Sequence, residues 1–286
     1  MQKRALTIQD ISCVGRCSLT VALPIISAAG IETSILPTAV LSTHTGGFTG
    51  YTFRDLTEDI KPIADHWKSY DLCFDALYSG YLGGHEQLEL VAELFNDFGQ
   101  DGALILVDPA MADQGRLYPA FDTSFALGMR DLCARANIIV PNITEACFML
   151  EQEFPGEDYD QAFIERTLRS LATLGPGRVV LTGVSFEEGK LGAAAYDAVL
   201  DVTEYYFTER IPKNYHGTGD VYASALLAAL LNGADTRTAI RIACEFTLGA
   251  VRRSYVAQTE PHLGVNFEQE LPELIRLIHD LCVQDV

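Results

Sequence analysis

The chain of 286 residues is short of positive charge: 20 lysines and arginines stand against 39 aspartates and glutamates, a formal net charge of −19. No excess of cations is left to track a phosphate backbone or an anionic bilayer, so a general nucleic-acid binder and a polybasic membrane adaptor are both excluded. An anionic small ligand is not excluded, because a few backbone N–H groups and one local cation outweigh the net charge. No apolar run approaches the ~18 residues of a spanning helix. Met1-Gln2-Lys3-Arg4 is basic, but Gln9 and Asp10 break the apolar stretch behind it, unlike a secretory signal, and a cytoplasmic location is expected. The motif G-x-x-x-x-G-K-[ST] is missing, which excludes a Walker-type phosphate loop. The seven cysteines (Cys13, Cys17, Cys73, Cys133, Cys147, Cys244 and Cys282) are odd in number and scattered. Cys13 and Cys17 have no second Cys or His pair to complete a metal site, and reduced core thiols are the expected reading.

There is also no internal repeat, no low-complexity tract and no linker rich in Pro, Gly or Ser, so residues 1–286 read as a single domain. A hydrophobic content of 48% with 23 glycines suits an ordinary globular core. Short β-rich runs are predicted at Ala5–Gln9, Ser34–Val40, Cys73–Tyr78, Leu104–Asp108, Asn137–Pro141 and Arg178–Thr182, with further runs near 193–198 and 203–207. Several are continuously apolar, as strands covered on both faces should be. Amphipathic helices are predicted near 17–29, 54–70, 84–98 and 159–174. Ile240, Ala243, Cys244, Thr247, Leu248 and Val251 make one helical face, and Phe267, Leu271, Leu274, Ile275, Ile278 and Cys282 make another. Alternation at this spacing predicts an α/β fold with a mostly parallel central sheet and helices on both sides.

In such sheets ligands sit at the carboxyl ends of strands, so polar residues just after apolar runs are the site candidates. Tyr215-His216-Gly217-Thr218-Gly219-Asp220 precedes the Ala- and Leu-rich run Val221–Leu231. A glycine turn opening a buried helix leaves unpaired N–H groups, a ready phosphate site. Asp220 in the first helical turn reads either as a cap or as a catalytic base. Asp108 and Asp113 follow one apolar strand, and Asn142 and Glu145 follow the next. Hard oxygen ligands of this kind suit Mg2+ with its waters and a substrate phosphate. Asn142 and Glu145 also have the spacing of a capping box.

Asn142-x-x-Glu145 and Gly217-Thr218-Gly219-Asp220 resemble the two hallmark motifs of the ribokinase-like superfamily. Thr7-Ile8-Gln9, Ser42-Thr43-His44-Thr45, Ser79-Gly80-Tyr81-Leu82-Gly83, Val107-Asp108-Pro109 and Val140-Pro141-Asn142 fall in the order and spacing of pyridoxal kinases. The resemblance runs from about residue 5 to 255. It implies a ribokinase-like three-layer α/β/α sandwich and an ATP-dependent kinase acting on the 5′-hydroxyl of pyridoxal, pyridoxine or pyridoxamine. By the resemblance, Asp220 takes the proton of that hydroxyl, and Gly217, Thr218 and Gly219 stabilise charge on the transferred phosphoryl group. Glu145 and Asp108 organise Mg2+, and Asn142 and Thr182 lie near the ATP phosphates. Asp10, Thr45 and Tyr81 face the pyridine ring. A monovalent cation such as K+, whose ligands the sequence does not place, and a homodimer are also implied.

Two residues depart from that pattern. Asp10 stands where pyridoxal kinases usually carry Ser; a carboxylate only accepts hydrogen bonds, so Asp10 is expected to favour a protonated ring nitrogen or another substituent. His216 before the glycine loop is a habit of hydroxymethylpyrimidine kinases and of bacterial B6 kinases similar to them, although those often carry Cys where this chain has Asp220. The rival readings are therefore a hydroxymethylpyrimidine kinase, a sugar kinase of the same superfamily, and a non-catalytic B6-binding protein. Elsewhere, Tyr205-Tyr206-Phe207 reads as strand packing, Glu151–Asp160 as a solvated loop, and Trp67 as core or interface. His85-Glu86 lacks the second His of a zinc helix.

Overall fold

A computed structural model describes residues 2–99 and 102–284. The chain starts in the middle of the sheet. The first strand, β1 (Arg4–Ser12), pairs in parallel with β2 (Glu32–Leu41) on one side and with β4 (Ala76–Ser79) on the other. From β4 the sheet extends in parallel through β5 (Leu104–Val107), β8 (Ile138–Ile139) and β9 (Arg178–Val184). It ends in the antiparallel strands β10 (Lys190–Asp197) and β11 (Val202–Glu209). At the opposite edge β3 (Phe53–Asp55) pairs antiparallel with β2, giving the order β11-β10-β9-β8-β5-β4-β1-β2-β3. A small hairpin, β6 (Ala112–Asp113) and β7 (Arg116–Leu117), lies apart.

Period-2 alternation sorts the strand side chains between two cores. Leu6, Ile8, Leu77, Ile105, Val107, Ile139, Val179 and Leu181 face one side. There they meet helices α2 (Thr57–Lys68), α3 (His85–Phe98), α4 (Thr123–Cys133), α5 (Ile143–Met149) and α6 (Gln161–Ala172). Ala5, Tyr78, Leu106, Ile138, Val180, Ala193 and Ala195 face the other. That side is covered by α1 (Leu19–Ala28), α7 (Thr218–Leu231), α8 (Thr236–Val256) and α9 (Leu271–Gln284). Every residue of α7 from Val221 to Ala229 is buried. A helix that is apolar all round belongs inside, and α7 packs between α1 and α8.

The expected three-layer α/β/α arrangement is therefore present, with local corrections. Residues 54 and 55, expected to start a helix, instead belong to β3 and pair with β2, and Asp55 accepts the Thr57 N–H at 2.7 Å to start α2. Helix α4 was not anticipated; Asp122 caps it by accepting the Phe125 N–H at 3.0 Å. In α8 the buried face includes Phe246 and Ala250, while Thr247, Leu248 and Val251 stay partly exposed. Phe267 is buried in a separate 3-10 turn, Ile275 is 48% exposed, and the side chain of Cys282 lies outside the described residues. Trp67 packs against Phe74 and Phe98, and Tyr205 stacks on Phe207, as the packing readings require. Cys133, Cys147 and Cys244 are buried free thiols, whereas Cys13 and Cys73 are exposed, because both lie in loops beyond the strands.

Leu181 is fully buried between the sheet and its helical cover. Replacing it by Ala is expected to cost about 2–5 kcal/mol in denaturant unfolding. A loss below ~1 kcal/mol would mean that the site collapses around the gap.

Candidate active site

The direction of strand succession reverses at β1, so a crevice opens between the carboxyl ends of β1 and β4. A register shift between Gln9 and Ile11 places a bulge at Asp10, the kind of irregularity that re-aims a side chain at a sheet edge or site. Asp10 is only 4% exposed. Its Oδ1 accepts the Ser18 hydroxyl, and its Oδ2 accepts the Ser12 hydroxyl at 2.9 Å. Burial pushes its pKa up, and the two hydroxyls offset part of that rise.

Across the crevice, Gly217 forms the left-handed cap of α7 with φ +74°. A Cβ there would lie 1.9 Å from the Arg16 carbonyl oxygen, so the turn requires glycine on both conformational and steric grounds. The first intrahelical bond is made by Val221 to the Gly217 carbonyl. The N–H groups of Gly217, Thr218 and Gly219 thus have no partner among the described residues, at the positive end of a helix. Asp220 does not cap this helix. Its Oδ2 accepts the backbone N–H of Ser18 at 3.0 Å. Burial raises its pKa to about 7, opposed by the Ser18 N–H and aided by the Asp10 charge. Ser18 itself stands at φ 55°, ψ −132°, outside the αL well and strained for a residue with a Cβ by roughly 1–3 kcal/mol.

Asp108, just beyond β5, is 7% exposed and accepts no hydrogen bond among the described residues. Burial, then the Asp220 charge, push it well above the usual carboxylate range. A Cβ on Gly219 would lie 3.8 Å from its Oδ2, so Asp108 faces the glycine loop. Glu145 is different. Asn142 and Glu145 form a complete capping box, with Asn142 Oδ1 accepting the Glu145 N–H and Glu145 Oε2 the Asn142 N–H, both at 2.9 Å. Glu145 Oε1 accepts the Met111 N–H at 3.1 Å and the Ala112 N–H at 3.4 Å. Asn142 also bridges to Thr182, so these two meet at the ends of β8 and β9.

Among the described residues no group of three or more His, Cys, Asp or Glu could hold a metal ion. Mg2+ needs no such cage, since one or two carboxylates with water and phosphate suffice. The unpartnered, buried Asp108 fits that demand. Glu145, with both oxygens committed to backbone N–H groups, fits the part of a brace for the strand end rather than a direct ligand.

The expected ring-site residues are only partly together. Tyr81 packs on Phe121 with ring centroids 5.5 Å apart; burial, then the nearby Asp10 charge, push its hydroxyl up to about 12. Thr45 is exposed on the loop after β2. The same loop meets the glycine turn through imidazoles. The Gly46 N–H donates to His44 Nδ1 at 3.1 Å, so His44 Nε2–H donates to the His262 carbonyl at 2.6 Å. His216 lies 5.3 Å from His44, centroid to centroid, and a Cβ on Gly46 would touch its ring at 2.6 Å. The His216 side chain makes no hydrogen bond among the described residues, so it is packed rather than satisfied by backbone. Burial lowers its pKa. Ser12, Ser18 and His262 were not among the expected site residues, whereas His44 lies in the Ser42–Thr45 segment that carries the resemblance. Ser12 binds its near neighbour Asp10, but Ser18 and His262 find partners 202 and 218 residues away.

A family model described as phosphomethylpyrimidine kinase matches residues 26–265. The chain belongs to that family. Its kinase fold resembles a candidate phosphomethylpyrimidine kinase from Bacteroides thetaiotaomicron VPI-5482, solved in an orthorhombic form with pyridoxal: 34% identity, TM-score 0.91, covering 96% of each chain. It also resembles the pyridoxal kinase of Lactobacillus plantarum, at 28% identity and TM-score 0.89, over 98% of this chain and 99% of that one. The hydroxymethylpyrimidine/phosphomethylpyrimidine kinase of Bacillus subtilis is 27% identical over 76% of this chain and 77% of that protein. Against the Arabidopsis thaliana bifunctional thiamine biosynthetic enzyme TH1, the match spans only 42% of that protein's length. Among the described residues no helix is long and apolar enough to cross a membrane.

Because the Asp220 pKa is raised, to about 7, folding favours its protonated form. That stability is fully present below the unfolded carboxylate pKa and is lost as pH rises through about 7. Asp220→Asn, free of this cost, is expected to unfold at higher denaturant than the metal-free parent at pH 8, by roughly 1–3 kcal/mol, with the gap closing by pH 4. An equal gap at both pH values would show that Asp220 titrates normally.

Proposed function

We propose that this kinase transfers the γ-phosphoryl group of ATP to the 5′-hydroxyl of a B6 vitamer: pyridoxal, pyridoxine or pyridoxamine. The observation that carries the reading is the pairing of a buried carboxylate, raised towards neutrality, with three unpaired N–H groups at the start of α7. A base whose pKa lies near 7 accepts a hydroxyl proton efficiently at physiological pH. Asp220 takes the proton as the substrate oxygen attacks the γ-phosphorus, and ADP departs. The N–H groups of Gly217, Thr218 and Gly219 stabilise the charge on the equatorial oxygens in flight. Asn142 and Thr182, joined at the ends of β8 and β9, border the polyphosphate, while Asp10 and Tyr81 line the ring side. Asp108 would hold Mg2+, which would supply screening of the phosphate charge. Glu145 keeps the Met111–Ala112 backbone and the Asn142 turn in place around it.

The B6 choice is supported by the pyridoxal in the 34%-identical Bacteroides structure and by Tyr81 beside Asp10. The same chemistry on hydroxymethylpyrimidine is favoured by the family model and by His216 against the substrate loop. A non-catalytic binder would have no use for an uncompensated carboxylate facing a phosphate cradle.

ADP release with MgATP, measured across the three B6 vitamers, hydroxymethylpyrimidine and ribose, separates these readings. Turnover on the vitamers is expected, falling at least ~100-fold in Asp220→Asn, the usual scale of a general base. Turnover on the pyrimidine alone would keep the mechanism and change the substrate. No turnover on any of them, with MgATP still raising the melting temperature, would make the chain a binder.

A further inference from the structure

Ser18 belongs to none of the recognisable motifs, yet both the carboxylates that flank the crevice lean on it. We propose that Ser18 is a positioning residue that ties the general base to the ring-side carboxylate, its backbone N–H holding Asp220 Oδ2 at 3.0 Å and its hydroxyl holding Asp10 Oδ1. The inference rests on the kinase reading above and extends it to a residue on neither motif.

Three observations converge. The first is the backbone. At φ 55°, ψ −132° Ser18 occupies a conformation that glycine adopts freely and serine does not. Such strain persists where the surroundings over-determine it, typically at working sites. Relaxation into the extended or right-handed region would swing the N–H away from Asp220.

The second is the hydroxyl. Ser18 stands at the N-cap of α1, where a serine side chain ordinarily accepts an N–H of the first turn. It makes no such bond. Its carbonyl accepts Val21 and Ala22, both at 2.9 Å, and the hydroxyl turns to Asp10 instead. Glycine would hold this turn with less strain, so capping and turn geometry leave the serine unexplained, whereas the contact with Asp10 accounts for it.

The third is the division of acceptors. Asp10 uses both oxygens on serine hydroxyls, Ser18 and Ser12. Asp220 uses Oδ2 on Ser18, and its Oδ1 makes no hydrogen bond among the described residues. One residue thus sets the separation between the two carboxylates and leaves one oxygen of the base free for the substrate hydroxyl.

The test compares Ser18→Gly and Ser18→Ala with the parent chain on the three vitamers and hydroxymethylpyrimidine at saturating MgATP. Both variants lose the hydroxyl, so the KM for the accepted alcohol is expected to rise about tenfold, the scale of a hydrogen bond to a charged group. In Ser18→Gly the N–H to Asp220 survives, so kcat should stay within about threefold of the parent. Ser18→Ala should melt below Ser18→Gly, because it keeps the strained backbone. In an Asp10→Asn background the extra KM effect of Ser18→Gly should largely vanish. An unchanged KM in both single variants would overturn the proposal, as would an equal KM rise with Asp10 already replaced. If the parent turns over none of these alcohols, the kinase reading fails by itself. The tie is then decided by a thermal-stability cycle over Ser18→Ala and Asp10→Asn: non-additive losses support it, and additive losses overturn it.

Discussion

Four carboxyl groups, on Asp10, Asp108, Glu145 and Asp220, are drawn into one strand-end crevice without a lysine or arginine against any of them among the described residues. The ion pairs that reach least-exposed carboxylates, Arg178–Asp197 and Arg253–Glu270, lie elsewhere. Burying like charges together is unfavourable unless each finds dipoles or protons. The compensation is graded. Glu145 receives three backbone N–H groups, Asp10 two hydroxyls, Asp220 one N–H, and Asp108 none. That gradient sorts structural from chemical roles. A carboxylate with its acceptors filled holds the scaffold; one left short is ready for a proton, an ion or a substrate.

The compensation depends on the path of the chain after β1. Residues 13–18 run beneath the glycine turn so closely that the Arg16 carbonyl leaves no room for a Cβ on Gly217. Gly264 is also close against Arg16, where a Cβ would lie 2.7 Å away, and Gly15 against His44, at 2.4 Å. Four segments distant in sequence, near 15–18, 44–47, 216–217 and 262–264, therefore meet around one turn, and each contact demands a glycine or an imidazole edge. The loop after β2 is packed in this way directly against the glycine turn. His44, with its tautomer set by Gly46 and the His262 carbonyl, is the hinge pin of that contact.

The sheet, both helical layers and the positions of Asp108, Asn142, Thr182, Gly217 and Asp220 at strand and helix ends were legible from apolar runs and turn residues. Period and punctuation are local properties, and the sequence carries them directly. Helix α4 was not, because its apolar residues are interrupted by Gly128, Arg130 and Asp131 and its signal lies in the Asp122 cap. Ser18 and His262 were invisible for a different reason: their roles come from hydrogen bonds spanning 202 and 218 residues. Glu145 was legible in both of its meanings, and the capping box is the one the structure fills. Asp220, open between cap and base, caps nothing in its own helix.

Under the proposed function, ring discrimination would turn on polarity at the Asp10 corner. While Asp10 is ionised it can only accept, so the Ser12 and Ser18 hydroxyls must direct their protons inward to it. The remaining lone pairs of both serines are acceptors, while the buried Gln9 amide beside them on β1 has no hydrogen-bond partner among the described residues. A ring nitrogen that carries a proton, or an exocyclic amino group, would be matched by the Asp10–Ser12–Ser18 cluster. Both pyridinium and aminopyrimidine alcohols would satisfy that rule. On that proposal the choice between them would fall on shape, at Tyr81 and the loop that His44 holds down.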